Sequence, residues 1–227
     1  MPDPFHHEPI LYKPPMNPDH DDNRRPIAAR SSRWAHRLTQ VTLKTSITPN
    51  QISILSVIAA TIGSTAIIAD PAPWSLVLCA ALIPVRLVCN LLDGMVAVEG
   101  GKHSLLGALY NEIPDRFSDA VIMVALGIAS GRPSLGWAAA LLAVATAYVR
   151  MLGGSLGLAQ DFRGPLAKQQ RMWIAAAGCV LGAIEMAWTG TPTWSLIVAL
   201  WILIAGSAAT CVTRTLAISH ALRLRHD

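Results

Sequence analysis

The chain has 227 residues, of which 52% are hydrophobic and only 14% charged, with a formal net charge of +4. A typical soluble domain carries about 25% charged residues, so this composition excludes an ordinary soluble globule and points to a polytopic helical membrane protein. The positive balance then speaks for cytoplasmic loops and anionic lipid headgroups, and no nucleic acid partner is expected. Cys79, Cys89, Cys179 and Cys211 stand singly in apolar segments without CxxC spacing, so they read as small core residues and not as a disulfide or zinc framework.

In chain order, residues 1–26 are rich in Pro, Asp and His and show no apolar periodicity, which predicts a disordered cytosolic tail. They lack the apolar run of a signal peptide. Residues 27–46 alternate arginines with Trp34, Leu38 and Val41 at helical spacing, which predicts an amphipathic helix lying on the membrane interface. Thr48-Pro49-Asn50 then opens a six-helix transmembrane domain over 47–221, with Thr48 as the helix cap and Pro49 in the first turn. Apolar segments predict six spans, at 51–69, 74–98, 105–130, 135–151, 172–189 and 194–217, each long enough to cross a bilayer at about 20 residues. Residues 222–227 form a second cytosolic tail. The fold class is therefore all-α, six transmembrane helices preceded by an interfacial helix. Under this layout the inner segments hold nearly all the basic residues and the outer turns only Arg132, which puts both termini in the cytosol of a bacterial-type inner membrane.

The segment over 90–119, NLLDGMVAVEGGKHSLLGALYNEIPDRFSD, breaks the apolar pattern. It holds Asp93, Glu99, Glu112, Asp115 and Asp119, five of the fourteen acids in the chain. An acid at the centre of a membrane helix costs about 2.5–3.5 kcal/mol on insertion scales, so such a cluster marks a functional site by default. Helical geometry puts Asn90, Asp93 and Ala97 on one face, with Gly94 leaving it open, and lines up Gly107, Asn111, Asp115 and Asp119 in steps of four. Two oxygen-rich faces joined by a polar turn suit Mg²⁺ or Mn²⁺ and not zinc. The layout places them near the cytoplasmic surface, where a soluble nucleotide can enter.

These residues resemble the signature of the CDP-alcohol phosphotransferases, D-x2-D-G-x2-A-R-x8-G-x3-D-x3-D. Asp93, Gly94, Ala97, Gly107 and Asp115 match it at the correct spacing. The resemblance implies a membrane phosphotransferase of phospholipid synthesis. Such an enzyme holds two divalent cations, usually Mg²⁺ or Mn²⁺, of which this variant chain is expected to hold one or two, and takes CDP-diacylglycerol or another CDP-alcohol as donor. It transfers the phosphoryl-linked group to an alcohol acceptor with release of CMP, and works as a homodimer. Asp115 is then the base that deprotonates the alcohol, and Gly94, Ala97 and Gly107 let the nucleotide approach the backbone. Three positions depart: Asn90 stands for the first aspartate, Asn111 for the third, and Val98 for the arginine.

An asparagine oxygen still ligates a hard cation but brings no charge. The expected metal set is therefore Asn90, Asp93, Asn111 and Asp115, with one or both of Glu112 and Asp119 recruited; counting both restores four carboxylates. The competing role for Asp119 is an ion pair with Arg116 or Arg86. Arg150, Lys168 and Arg116 are the candidates for an acceptor phosphate. Arg214 has Glu185 as a conceivable partner, although the two sit at opposite depths. A homologue that keeps the fold as a binding or scaffolding subunit is the alternative reading of the three departures, and an ion-coupled transporter is a third.

Overall fold

The computed structural model describes residues 30, 32–101 and 106–224. Among them the elements are helical, with no strand: α1 (Arg33–Leu43), α2 (Pro49–Ala69), α3 (Pro73–Glu99), α4 (Gly107–Ala129), α5 (Pro133–Ser155), α6 (Lys168–Thr189) and α7 (Thr193–Arg223). The expected N-terminal tail and most of the GGKHS turn lie outside the described residues, as do 225–227. Helix α7 runs on through Arg223, well past the expected end of the last span at 217. The interfacial segment is helical over α1, shorter than the 27–46 expected.

Local signals account for the helix ends. At the start of α2, Gln51 N donates to Thr48 Oγ1 at 3.3 Å, and Thr48 N donates to Gln51 Oε1 at 2.9 Å, a reciprocal capping box with Pro49 in the first turn. Helix α6 stops at Gly190, whose φ of 79° is left-handed and suits a residue without a Cβ. Beyond that turn, Glu185 accepts from the backbone N–H groups of Trp194 (2.9 Å) and Ser195 (2.7 Å). These are donors of the first turn of α7 that have no partner within the helix. Glu185 is thus a cap at one end of the molecule. Arg214, at the other end, donates to the carbonyls of Arg163 and Thr146, each at 2.8 Å, so the two do not pair.

The six long helices close a ring. Helix α2 packs on α3 and α4, α4 on α5, α5 on α7, α7 on α6, and α6 back on α3. Helices α3 and α4 therefore face each other mainly across the ring interior. In all six the inward face divides into two halves. One half is apolar: Ile67 on α2, Leu76, Cys79 and Ile83 on α3, Ile122, Met123 and Leu126 on α4, Ala139 and Ala143 on α5, Met172 and Cys179 on α6, and Leu196, Leu200 and Leu203 on α7 join in one buried cluster. The other half is polar and carries Ser53, Asp93, Asp115, Asp119, Arg150, Arg171 and Arg214. At the apolar end α4 and α5 touch backbone to backbone, since a Cβ added to Gly127 would lie 2.6 Å from Gly136 Cα. At the polar end α1 lies against α3 through Ala35, Leu91 and Met95.

Outward faces are apolar and exposed, as with Ile54, Leu55, Ile58 and Ile62 on α2. Trp74, Trp137, Trp188 and Trp194, all exposed, sit at the ends of α3, α5, α6 and α7 that point away from the polar half. Such a girdle is the usual position of tryptophan at a membrane interface. Five helices, α2, α3, α5, α6 and α7, are long and apolar enough to cross a membrane. Helix α4 has 23 residues but does not qualify by itself, because every window of that length scale includes Asp115, Arg116 and Asp119. The protein is an integral membrane helix bundle.

Candidate active site

Asn90, Asp93, Gly94 and Ala97 of α3 and Gly107, Asn111, Glu112, Asp115 and Arg116 of α4 line one cavity of about 750 Å³ in the polar half. Arg150 of α5, Lys168 and Arg171 of α6 and Arg214 of α7 line it too, with Trp34 of α1 and Ser53 of α2. Of the predicted site residues only Asp119 lies behind the lining, and Val98 is half exposed outside it.

On α3, Asp93 is 4% exposed. Its Oδ2 accepts from Ser53 Oγ of α2 at 2.6 Å, while its Oδ1 is buried without a hydrogen-bond partner. Asn90, one turn earlier, reaches across the cavity: its Nδ2 donates to Asp115 Oδ1 at 2.8 Å. The other oxygen of Asp115 is ion-paired with the Lys168 ammonium. Arg86 Nη2 adds a 3.2 Å hydrogen bond to the Asp115 carbonyl and lies 3.5 Å from Oδ1.

Below this layer Asp119 is held by Arg86 Nη2 at 2.6 Å and by Arg171 Nη2 at 3.3 Å. Arg171 also donates from Nη1 to Thr146 Oγ1 (3.1 Å) and to the Leu166 carbonyl (3.2 Å). Three helices, α3, α4 and α6, are thereby tied at a buried aspartate. Glu112, nearer the mouth, accepts from Arg150 Nη2 at 2.6 Å and lies 3.7 Å from Arg116 Nη2. Arg150 is positioned in turn by Gln160 and by the ring of Phe162, whose centroid is 5.3 Å from its guanidinium carbon. In the loop before α6, partial burial works against ionisation of Asp161, but hydrogen bonds from Arg163 win and hold its carboxyl below the usual range.

The two extra acids of α4 are thus presented to arginines and not to Asp93. Among the described residues no three His, Cys, Asp or Glu side chains group as a metal cage. What does face the cavity is a set of hard oxygens: the unpartnered Asp93 Oδ1 and the amides of Asn90 and Asn111. That donor set fits Mg²⁺ or Mn²⁺, and the buried orphan oxygen is the position where such an ion would relieve a desolvated charge. Reading the sequence did not single out Ser53, Gln160 or Phe162. Ser53 is one of several small hydroxyl residues, with Ser56, Thr61, Ser64 and Thr65, along an otherwise apolar span, and the other two lie in an irregular loop, so no periodicity marks them.

A ring of six long helices with this motif facing its own cavity defines a class, and comparison with known proteins agrees. The family model described as CDP-alcohol phosphatidyltransferase matches residues 46–223, and the chain belongs to that family, which makes it a membrane transferase of phospholipid synthesis. It is 30% identical over 211 residues to the phosphatidylinositol phosphate synthase of Cutibacterium acnes, covering 83% of this chain and 95% of that protein. It is 25% identical over 193 residues to the protein of the same name in Mycolicibacterium smegmatis, covering 82% of each. The crystal structure of phosphatidylinositol phosphate synthase from Mycobacterium tuberculosis with CDP-DAG bound superposes with a TM-score of 0.66 at 22% identity, over 82% of this chain and 94% of that one. The same enzyme has been solved with manganese and citrate.

Proposed function

We propose that this chain transfers the phosphatidyl group of CDP-diacylglycerol to an alcohol that itself carries a phosphate, with release of CMP. The observation that carries this is the juxtaposition in one cavity of the Asp93 and Asp115 carboxylates with Lys168, Arg116 and Arg150. The cavity lining as a whole carries six cationic side chains, Arg30, Arg116, Arg150, Lys168, Arg171 and Arg214, against three acids, Asp93, Glu112 and Asp115, a positive excess that a neutral alcohol does not require and a phosphate dianion matches. The names of the relatives, which are inositol phosphate enzymes, support the same acceptor class.

The donor's nucleotide lies against α3, where Gly94 and Ala97, with Gly107 opposite, leave room for the backbone to approach it. Its acyl chains stay among the exposed apolar side chains of the bundle. Asp93, with the amide oxygens of Asn90 and Asn111, holds a divalent cation, Mg²⁺ or Mn²⁺, which when bound neutralises the pyrophosphate and favours departure of CMP. Lys168, Arg116 and Arg150 orient the acceptor by its phosphate. Asp115 takes the hydroxyl proton as the new P–O bond forms and the P–O bond to CMP breaks. Asp119, buried between Arg86 and Arg171, positions α4 and touches no substrate. The polar half of the ring faces the cytosol, supported by the basic residues collected at that end, and the protein pairs as a homodimer, supported by the family alone.

The test is CMP release by the lipid-reconstituted protein from CDP-diacylglycerol with Mn²⁺, against inositol phosphate, glycerol phosphate, inositol and serine. Metal-dependent release with a phosphorylated acceptor only, lowered about 10²–10⁴-fold by Asp115→Asn, is the expected result. Release with inositol or serine but with neither phosphate ester would overturn the acceptor class. No release with any acceptor, beside retained cytidine-nucleotide binding, would favour the binding-subunit reading that Asn90, Asn111 and Val98 motivate.

A further inference from the structure

Four carboxylates surround the cavity, and three of them are already balanced. Glu112 is matched by Arg150 and Arg116, Asp115 by Lys168, and Asp119 by Arg86 and Arg171. Asp93 alone among them has no basic side chain within ion-pair distance among the described residues, although it is 4% exposed. Its Oδ1 is buried and unpartnered. A carboxylate so placed calls for one cation and can anchor one.

Nothing comparable is left for a second ion. The natural place for it is between positions 90 and 115, because two carboxylates facing each other there would repel unless a cation stood between them. In this chain position 90 is an asparagine, and its amide N–H donates directly to Asp115 Oδ1 at 2.8 Å. The bridge that an ion would form is made by a proton of the side chain itself. On its other oxygen Asp115 meets the Lys168 ammonium, with Arg116 Nη2 at 3.6 Å. A doubly charged ion brought to Asp115 would have to displace or stand against these cations.

We infer that the site holds a single divalent cation, anchored on Asp93 Oδ1, and that the Asn90 amide and the Lys168 ammonium together occupy at Asp115 the place of a second ion. The inference rests on Asp93 being a cation ligand in the transferase described above. It makes Asn90 a deliberate part of the site, since its donor end serves Asp115 while its acceptor end remains for the ion. It also gives Lys168 two duties, holding Asp115 and meeting the acceptor.

The experiment is Mn²⁺ binding to the full-length protein in detergent, counted by equilibrium dialysis and observed by electron paramagnetic resonance. The expected count is one Mn²⁺ per chain with the six-line spectrum of an isolated ion. Asp93→Asn weakens binding at least tenfold while the thermal unfolding midpoint is retained, and Asp115→Asn leaves the count at one. Asn90→Asp combined with Lys168→Met admits a second ion and gives a spin-coupled spectrum. Two coupled ions in the unmodified protein, loss of the ion in Asp115→Asn as in Asp93→Asn, or no saturable Mn²⁺ binding would each overturn the inference. CMP release measured on the same preparations separates the two claims. Metal-dependent turnover with two bound ions sinks the single-ion site and leaves the transferase, whereas one bound ion without turnover does the reverse.

Discussion

Replacing Asp119 by asparagine removes one charge and almost no volume, so any effect comes from electrostatics. The consequence is severe because of what surrounds it. Arg86 is fully buried, its Nε and Nη1 have no partner among the described residues, and its short contact is to Asp119 at 2.6 Å, the Asp115 carboxylate being 3.5 Å away. Arg171 is 2% exposed and loses the one carboxylate it pairs with among the described residues. Removing one member of a buried ion pair costs about 3–5 kcal/mol, because the other members stay desolvated and uncompensated. At about 2–4 °C per kcal/mol for a chain of this size, the unfolding midpoint falls by about 6–20 °C. Intrinsic tryptophan fluorescence during heating in a mild detergent measures it. The comparison is Asp93→Asn, which neutralises a buried carboxylate that no arginine balances among the described residues. It melts at or above the midpoint of the unmodified protein yet loses CMP release. Melting of Asp119→Asn within about 2 °C of the unmodified protein, or a drop in Asp93→Asn as large as in Asp119→Asn, would refute the division into one structural and one functional aspartate.

Lys168→Met removes a charge-assisted hydrogen bond of about 1.5–3 kcal/mol, so the KM for a phosphorylated acceptor rises by about tenfold or more in steady-state CMP release while donor binding changes little. Gly127→Ala puts a methyl group 2.6 Å from the Gly136 Cα. Overpacking of that kind costs about 1–3 kcal/mol and lowers the unfolding midpoint without altering the KM values, as the contact is at the end remote from the cavity. Thr48→Ala breaks the capping box of α2 and costs about 1 kcal/mol, read as a midpoint about 2–4 °C lower.

Most of the architecture was legible because membrane helices announce themselves. Twenty-residue apolar runs, turn residues and the distribution of Arg and Lys gave seven helices in the right order, and Thr48-Pro49 marked the start of α2 to the residue. Helix ends that rest on side-chain contacts were not legible. Helix α7 continues to Arg223 through a polar stretch that carries no apolar signal, and the contacts of its inner half with the loop before α6, such as the 3.1 Å hydrogen bond from Leu166 N to Thr210 Oγ1, join positions far apart in sequence. The cavity-lining positions over 90–115 follow from helical periodicity alone. Which acids serve chemistry and which serve structure does not, since Glu112, Asp115 and Asp119 all lie on the same stretch of α4. Their partners from α3, α5 and α6 stand at separations of 25 to 53 residues, and the closed ring assigns Arg150 to Glu112 and chooses Arg86 over Arg116 for Asp119.

The same charge arrangement constrains how the chain can be made. Asp115 and Arg116 offset each other within α4, at 3.6 Å, but Asp119 costs about 2.5–3.5 kcal/mol until an arginine from another helix reaches it, so α4 is a poor candidate for a translocon acting on one helix at a time. Arg86 leaves the ribosome before it on α3 and can take up Asp119 early. Arg171 follows only with α6, after the whole of α5. The two arginines that hold Asp119 are thus separated in time, one supplied by the helix before α4 and the other by a helix two places after it.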